Sequence, residues 1–336
     1  MSRLRGGLFG CGMISEFHLR GWQRIPEVEI VAIGNRTLAR AEARRDQYFP
    51  AAAVYADLRV MLEQARLDFL DILTIPALHR EHVLLARAAG VHIICQKPLC
   101  NDFEDARDLV AALAGYPRLF AVHENHRYRP WFQRLLAWHR EEAFGPIRLL
   151  RLEQHDASEP PERYKTETPR GVLLEYGTHL VDMVRALHGA PERVYARLHR
   201  GNPRIAGESL AHLLFEYPES TAVIDIGWPD RGIAQGSLHL QGERGAAYYE
   251  GPLARGASSR LRVMRAGRLL ADELLSPTDE YVESFYLFER ECVDCMLTGR
   301  APVQSGAENL RTLASTFAAY RAAAEGRIVD LAEFPA

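Results

Sequence analysis

The 336-residue sequence lacks long apolar runs, is poor in cysteine and carries no large excess of charge of either sign. No apolar stretch approaches the roughly 18 residues that span a bilayer, and "MSRLRGGLFGCG" leads into a predicted strand without the apolar core of a signal peptide. The five cysteines are an odd, scattered set, which is typical of a reducing compartment. The net charge is -3, with acids and bases interspersed. We therefore expect a cytoplasmic globular protein with no membrane or nucleic-acid partner.

The first 125 residues alternate short apolar runs with helical patterns. The predicted strands are "LRGGLFG", "VEIVAIGN", "LDFLDILTI", "GVHIIC" and "RLFAVHEN", and the predicted helices cover about 14–25, 38–48, 79–89 and 103–113. Strands that alternate with helices of this length indicate βαβ units and a parallel sheet. The unbroken apolar character of "VEIVAI" fits strands that are covered on both faces.

The pattern changes after residue 145, where short strands are separated by Gly, Pro and Asn turns. This succession of short strands and turns predicts a large, mostly antiparallel sheet. Helices are predicted at about 174–187, 281–297 and 307–324. We expect an α/β domain over 1–125, followed by an α+β domain over 126–336. A C-terminal helix at about 305–326 can pack back on the first domain.

The first strand runs into "GLFGCGMISEFH", which resembles a dinucleotide-binding loop. Gly10 and Gly12 match the first two glycines of G-x-G-x-x-G, and Ser15 stands at the third position. In such a loop the glycines allow a tight turn and a close approach to a pyrophosphate, which then rests on the helix N-terminus. The strand–turn–helix context favours dinucleotide binding over a plain βα turn.

The second strand ends in "GNRT", without the acid that usually binds a ribose. The missing carboxylate removes repulsion against a 2′-phosphate, and Arg36 can pair with that phosphate or stack on adenine. Asn35 can still hydrogen-bond a bare ribose. The pattern therefore leans toward NADP and leaves NAD open.

The fourth strand, in "GVHIICQKPLC", ends on a lysine in front of a proline. Ligands of such sheets bind at the carboxyl ends of the strands, so Lys97 is expected at the ligand crevice. Pro98 keeps Lys97 out of the α region and so restricts the direction of its side chain. A structural lysine that extends to solvent is the alternative.

A second group of polar residues lies on a predicted helix in "RGVLLEYGTHLVDMVRALHG". Glu175, His179 and Asp182 fall at i, i+4 and i+7, which places them on one helix face. Alcohol oxidation by a nicotinamide needs a base near neutrality and a positive group for the developing alkoxide. His179 suits the first task and Lys97 the second, with Glu175 or Asp182 orienting the imidazole. A solvated helix face and a metal site remain alternatives; with no further cluster of ligands evident, we predict no metal.

Together these features resemble the glucose–fructose oxidoreductase and inositol dehydrogenase family (Gfo/Idh/MocA). The resemblance covers nearly the whole chain and rests on "GLFGCGMIS", "TIPALHREHVLLARAAGVHIICQKPL", "VHENHRYRPWFQRL" and "LLEYGTHLVD". It implies a Rossmann domain, then a domain with a large open sheet through which homodimers or homotetramers form. It also implies NAD(P)-dependent hydride transfer at a carbon of a sugar, inositol or similar polyol.

The resemblance also implies roles for individual residues. Lys97 matches the family's catalytic lysine, His179 its acid/base, and Glu175 the place of an aspartate that acts with them. Substrate contacts are expected from Lys97, Arg127, Glu175 and His179. Cofactor contacts are expected from Gly10, Cys11, Gly12, Met13, Ile14, Asn35, Arg36, Thr74, Pro76, His79, Gln96, Lys97 and Asn125.

Two positions depart from the family pattern. The usual Glu-Lys-Pro is Gln96-Lys97-Pro98, and the usual aspartate is Glu175. Loss of a charge beside Lys97 disfavours its protonated form if the two side chains touch. This combination, together with "VHEN", resembles a branch that contains aldose dehydrogenases acting on the branched pentose apiose.

Two other functions are compatible with the sequence. An enzyme can retain NAD(P) and use it transiently for epimerisation, glycoside cleavage or internal oxidoreduction. A non-catalytic dinucleotide-binding sensor is the other, although the presence of both Lys97 and His179 argues against it.

Overall fold

The computed structural model describes residues 3–156, 166–229, 234–253, 256 and 258–336. The chain forms two compact units. The first combines residues up to Asn125 with Val282–Leu310, and the second combines His126–Tyr281 with Arg311–Ala336.

The first unit is built on a parallel sheet of six strands. These are β1 (Leu4–Phe9), β2 (Val28–Gly34), β3 (Ala53–Tyr55), β4 (Phe69–Ile72), β5 (His92–Gln96) and β6 (Phe120–His123). They pair in the order β3-β2-β1-β4-β5-β6. Because the chain winds first to one side of β1 and then to the other, the carboxyl ends of β1 and β4 mark the position where such sheets bind ligands.

Five helices connect these strands: α1 (Ser15–Trp22), α2 (Leu38–Tyr48), α3 (Leu58–Gln64), α4 (Pro76–Ala89) and α5 (Phe103–Ala112). Asp57 accepts hydrogen bonds from two backbone N–H groups at the start of α3, and Asp102 accepts one at the start of α5. Gly90 ends α4 in the left-handed conformation, at φ 75°. These are ordinary helix-capping interactions, and they fix where each connection returns to the sheet.

The sequence-based prediction of five strands in this unit was short by one. β3 has only three residues, pairs only with β2, and leads into the seven-residue α3. An edge strand of this length gives almost no periodic signal.

The second unit contains a nine-stranded sheet. Its strands are β7 (Ile147–His155), β8 (Arg193–His199), β9 (Leu210–Tyr217), β10 (Ser220–Gly227), β11 (Gln235–Gly242), β12 (Gly245–Glu250), β13 (Ser259–Arg265), β14 (Arg268–Leu275) and β15 (Val329–Asp330). The order is β14-β13-β12-β11-β7-β10-β9-β8-β15. Neighbours are antiparallel except β7 and β10, which run parallel. The predicted fold class, a Rossmann α/β domain followed by an α+β domain with a mostly antiparallel sheet, is confirmed.

The remaining helices are α6 (Pro130–Arg140), α7 (Thr178–His188), α8 (Pro277–Thr298) and α9 (Gly306–Glu325), and a π-helical turn (Leu173–Gly177) precedes α7. α7 packs on β7 and β10, and its apolar side chains are buried. The regular helix predicted from residue 174 is therefore corrected, because its first turn is a π turn. Among the described residues, no helix combines the length and apolarity needed to cross a membrane.

Candidate active site

The turn after β1 requires glycine at its first position. Gly10 has φ +115°, which is a conformation that residues with a side chain rarely adopt. A Cβ at this position would lie 2.5 Å from the carbonyl carbon of Leu73, the residue after β4. Gly10 therefore lets the glycine loop pass directly against the end of β4.

Gly12 faces open space, since a Cβ built there meets no other atom within 4 Å. Beyond it the Ser15 hydroxyl donates to the Gly12 carbonyl at 2.6 Å, which fixes the entry to α1. Within the described part of the chain, the N–H groups of Met13 and Ile14 make no hydrogen bond. Unpaired N–H groups at a helix N-terminus, beside an open surface, fit a bound pyrophosphate.

Asn35, at the end of β2, holds the glycine loop in place. Its Oδ1 accepts from the Cys11 N–H at 3.0 Å, and its Nδ2 donates to the Thr37 carbonyl at 2.9 Å. Arg36, the next residue, is exposed. The Asn35 side-chain amide thus stabilises the glycine loop, whereas Arg36 is exposed to solvent.

Lys97 follows β5 directly and is half-buried, between the buried residues Gln96 and Pro98. The Lys97–Pro98 peptide bond is cis. The Lys97 N–H donates to the Oε1 of Gln96 at 2.7 Å. The side chain of Gln96 therefore fixes the backbone of Lys97.

His79 links the segments that follow β4 and β5. Its Nε2 lies 2.8 Å from the Thr74 carbonyl, and its Nδ1 lies 3.0 Å from the Pro98 carbonyl. The ring is completely buried, and burial lowers the pKa of His79 to about 4, although the hydrogen bonds to the backbone carbonyls on both sides oppose this shift. His79 thus ties the Lys97-Pro98 segment to the start of α4, where Pro76 is the first residue.

In the second unit, Glu175 lies in the π turn and His179 in the first turn of α7. Both side chains are buried, with 5% of each residue exposed. The His179 ring stacks on the ring of His126, with centroids 4.0 Å apart and 9° between the planes. Tyr176 packs edge-on against the same imidazole. π turns within helices are frequent at functional sites, and this one carries Glu175 directly before the helical turn that carries His179.

Asp182 and Arg127 form a buried ion pair one turn further along α7. The Arg127 Nη2 lies 2.6 Å from Asp182 Oδ1, and Nε lies 2.8 Å from Oδ2. The Thr312 hydroxyl donates to Oδ1 at 3.1 Å. A two-point guanidinium–carboxylate contact of this kind fixes both partners, so Asp182 connects α7 to the segment that follows β6.

The π turn is held by residues that the sequence did not indicate. Glu208 Oε1 accepts from the Leu173 N–H at 3.0 Å and from the Tyr320 hydroxyl at 2.6 Å. The Tyr320 oxygen in turn accepts from the Leu174 N–H at 3.2 Å. No local pattern signals this arrangement, because Glu208 and Tyr320 are 112 positions apart. His126, by contrast, lies in the block "VHENHRYR", where the sequence predicts contacts only from the neighbouring Asn125 and Arg127.

Asn125, which was predicted to contact the cofactor, is buried, and its Nδ2 donates to the Ser284 hydroxyl at 2.8 Å. Glu175, His179 and Asp182, the alternative metal ligands, do not gather into a cluster of ligand atoms; among the residues that the structure describes, one such cluster is present. That cluster is His18, His123 and Glu289, whose ligand atoms lie within 4.8 Å of one another. Both ring nitrogens of His18 already have hydrogen-bond partners, Asp71 and Gln96, so we do not interpret it as a metal site.

A six-stranded parallel sheet with a glycine loop at its switch point is the arrangement of a dinucleotide-binding domain. Residues 4–124 match the oxidoreductase family with an NAD-binding Rossmann fold, and residues 132–248 match the C-terminal domain of the GFO/IDH/MocA proteins. The chain belongs to this family. The predicted family and the predicted enzyme class are thereby confirmed.

Similar proteins cover the chain from end to end. The D-apiose dehydrogenase of Paraburkholderia graminis is 34% identical over 100% of this chain and 93% of its own length. The D-apiose dehydrogenase of Rhizobium rhizogenes is 29% identical over 98% of both chains. Among solved structures, an oxidoreductase from Agrobacterium radiobacter, crystallised with NAD+, L-tartaric acid and magnesium, is 27% identical with a TM-score of 0.89, covering 99% of this chain and 100% of its own.

Proposed function

We propose that the protein is an aldose dehydrogenase that oxidises a carbinol carbon of its sugar, with D-apiose as the first substrate to test. The observation that carries the proposal is the full-length similarity to D-apiose dehydrogenases, at 34% identity. The Gln96-Lys97-Pro98 sequence and the Glu175–His179 spacing support the same assignment.

When bound, the nicotinamide dinucleotide supplies the hydride acceptor. The open face at Gly12 and the unpaired N–H groups of Met13 and Ile14 fit its pyrophosphate. We assign to Lys97 the positive charge that stabilises the oxygen of the reacting hydroxyl as its proton leaves. Its backbone is held by Gln96 and the following segment by His79, so the ammonium group is presented from a rigid strand end.

We assign to His179 the removal of the hydroxyl proton. A neutral imidazole accepts a proton near physiological pH, and stacking on His126 fixes the plane of the ring. Glu175 supplies a carboxylate in the same buried segment, which stabilises the imidazolium that forms.

Turnover of D-apiose with NAD+ and NADP+ tests the proposal, measured as the stoichiometric appearance of reduced nicotinamide. Other aldoses and inositols serve as comparison substrates. Conversion of sugar without net reduction would instead indicate a retained cofactor used transiently. Binding of sugar and dinucleotide without any conversion would indicate a sensor.

We propose NADP as the preferred cofactor, on the basis of Arg36. Burial raises the pKa of the Cys11 thiol to about 12, while Arg44 and Arg40 of α2 oppose this shift, so positive potential reaches the glycine loop. The exposed Arg36 adds a further positive charge at the end of β2. This potential attracts a 2′-phosphate.

Arg36→Ala is expected to weaken NADPH binding by about tenfold or more while leaving NADH binding nearly unchanged. The measurement is quenching of tryptophan fluorescence with each dinucleotide. Arg45→Ala is the control, because Arg45 lies on the neighbouring helix α2 and pairs with Asp46. Equal losses for both dinucleotides, or a preference of the parent protein for NADH, would contradict the assignment.

Alanine substitutions at the two loop glycines should separate folding from binding. Gly12→Ala adds a methyl group that meets no protein atom, so we expect an unchanged melting temperature and dinucleotide affinity lower by about tenfold or more. Gly10→Ala meets Leu73 at a positive φ, and should lower the free energy of unfolding by about 1–3 kcal/mol. Unchanged dinucleotide affinity of Gly12→Ala would show that the loop is only a turn.

The homodimer or homotetramer expected through the nine-stranded sheet stays a prediction, as does a cytoplasmic location. The exposed leucines of the edge strand β14 fit an assembly of this kind: Leu269, Leu270 and Leu274 are 56%, 46% and 81% exposed.

A further inference from the structure

A buried series of hydrogen bonds in the first unit ends at the backbone of Lys97. Asp71, on β4, contacts the Nδ1 of His18 at 2.9 Å through its Oδ2. The Nε2 of His18, on α1, lies 3.1 Å from the Nε2 of Gln96. The Oε1 of Gln96 accepts from the Lys97 N–H at 2.7 Å. The side chains of Asp71 and His18 are completely buried, and Gln96 is 9% exposed.

The direction of each hydrogen bond in this series is determined. A backbone N–H can only donate, so the oxygen of the Gln96 amide must face Lys97, and its NH2 group must face His18. The Nε2 of His18 is therefore the acceptor. A neutral imidazole then carries its single proton on Nδ1, where it donates to Asp71.

The other groups around His18 are consistent with a neutral ring. Glu289 Oε1, on α8, lies 3.7 Å from Nδ1, and burial raises the pKa of Glu289 well above its usual range, with the Asp71 charge adding to the effect. This shift favours the protonated, neutral form of Glu289. His123, on β6, lies with its ring centroid 4.1 Å from that of His18, and the Trp22 indole N–H donates to Asp71 Oδ2 at 2.9 Å. With Glu289 neutral, the carboxylate of Asp71 is the acceptor for both the indole and the imidazole.

We propose that His18 is a positioning residue for Lys97: in its neutral form it orients the Gln96 amide, which fixes the Lys97 peptide. The inference rests on the proposed catalytic role of Lys97 for its effect on turnover, but the hydrogen-bond series itself does not depend on that role. A carboxylate on each side of His18 would need an N–H on both ring nitrogens, and a neutral ring has only one.

The variant Gln96→Glu tests this directly. At acidic pH the introduced carboxyl group and His18 together take up one extra proton, on either partner, and the series stays complete. As pH rises, that proton is lost, and the carboxylate introduced at position 96 then faces the lone pair on Nε2 of His18. The extra proton is bound by the folded state, so the stability it supports is present at low pH and is lost on going alkaline.

We therefore expect the melting temperature of the Gln96→Glu apoprotein to match that of the parent near pH 6 and to fall below it near pH 9. Turnover relative to the parent at the same pH should fall by about tenfold over this range, with the KM for the dinucleotide nearly unchanged. A melting-temperature difference independent of pH would overturn the proposal.

Tyr116→Phe is the matched structural control, since it removes one hydrogen bond, at 2.6 Å, to the Val91 carbonyl just before the same strand β5. It should shift the melting temperature equally at all pH values. If no substrate is turned over, the proposed function fails while the melting curves still test the hydrogen-bond series. If turnover is present but the melting temperatures of Gln96→Glu and the parent change in parallel with pH, only the proposed role of His18 fails.

Discussion

Lys97→Met is expected to lower turnover by on the order of 10²- to 10³-fold while leaving dinucleotide affinity nearly unchanged. Methionine keeps much of the length and volume of lysine but removes the positive charge that stabilises the developing oxyanion. The Lys97 N–H bond to Gln96 is a backbone interaction, so it survives the substitution. Turnover under saturating sugar, together with dinucleotide binding by fluorescence, measures the two effects separately.

Arg87→Met is the matched control for this variant, because it removes an exposed cation from the last turn of α4 in the same unit. It should leave turnover unchanged. Full turnover by Lys97→Met would remove the lysine from the chemistry. Weaker dinucleotide binding, with full turnover at saturating dinucleotide, would assign Lys97 to the cofactor.

His179→Gln is expected to lower the rate of alcohol oxidation by on the order of 10²- to 10⁴-fold, because the hydroxyl proton then has no positioned acceptor. The pH profile should change as well. If His179 is the base, we expect turnover of the parent enzyme to fall at low pH and the variant to lack this fall. The measurement is turnover as a function of pH with cofactor and sugar at saturation.

His188→Gln provides the control, because His188 lies at the C-terminal end of the same helix α7 and bonds to Ser220. It should keep both the rate and the pH profile of the parent. A His179→Gln variant that retains the acidic fall in turnover would show that another group is the base.

The position of Lys97 followed from the sequence because three local signals agree there. An apolar run of strand length, a polar residue at its end and a following proline are all short-range features, and a parallel sheet collects its strand ends at one edge. The same reasoning applies to Gly10, whose positive φ fits the tight turn that was predicted at the first glycine.

The π turn and the residues around His18 could not be predicted in this way. The spacing of Glu175, His179 and Asp182 is that of a regular helix, and nothing in it signals an extra residue in one turn. His18 contacts Asp71 and Gln96, which lie 53 and 78 positions away, and each residue alone is an ordinary polar residue in an apolar context. Long-range hydrogen bonds leave no periodic pattern, so only the folded chain shows them.

The first unit is completed by residues from near the end of the chain, which the ribosome makes late. Phe285 and Phe288 pack on His123, Glu289 lies against Gly21, and the Gln304 carbonyl accepts from the Val122 N–H at 2.9 Å. When residue 125 has been made, the surface that covers His123 does not yet exist. The apolar surface of the nascent first unit therefore stays uncovered until Val282–Leu310 has been translated. We therefore expect a transient demand for chaperones while the chain is being translated.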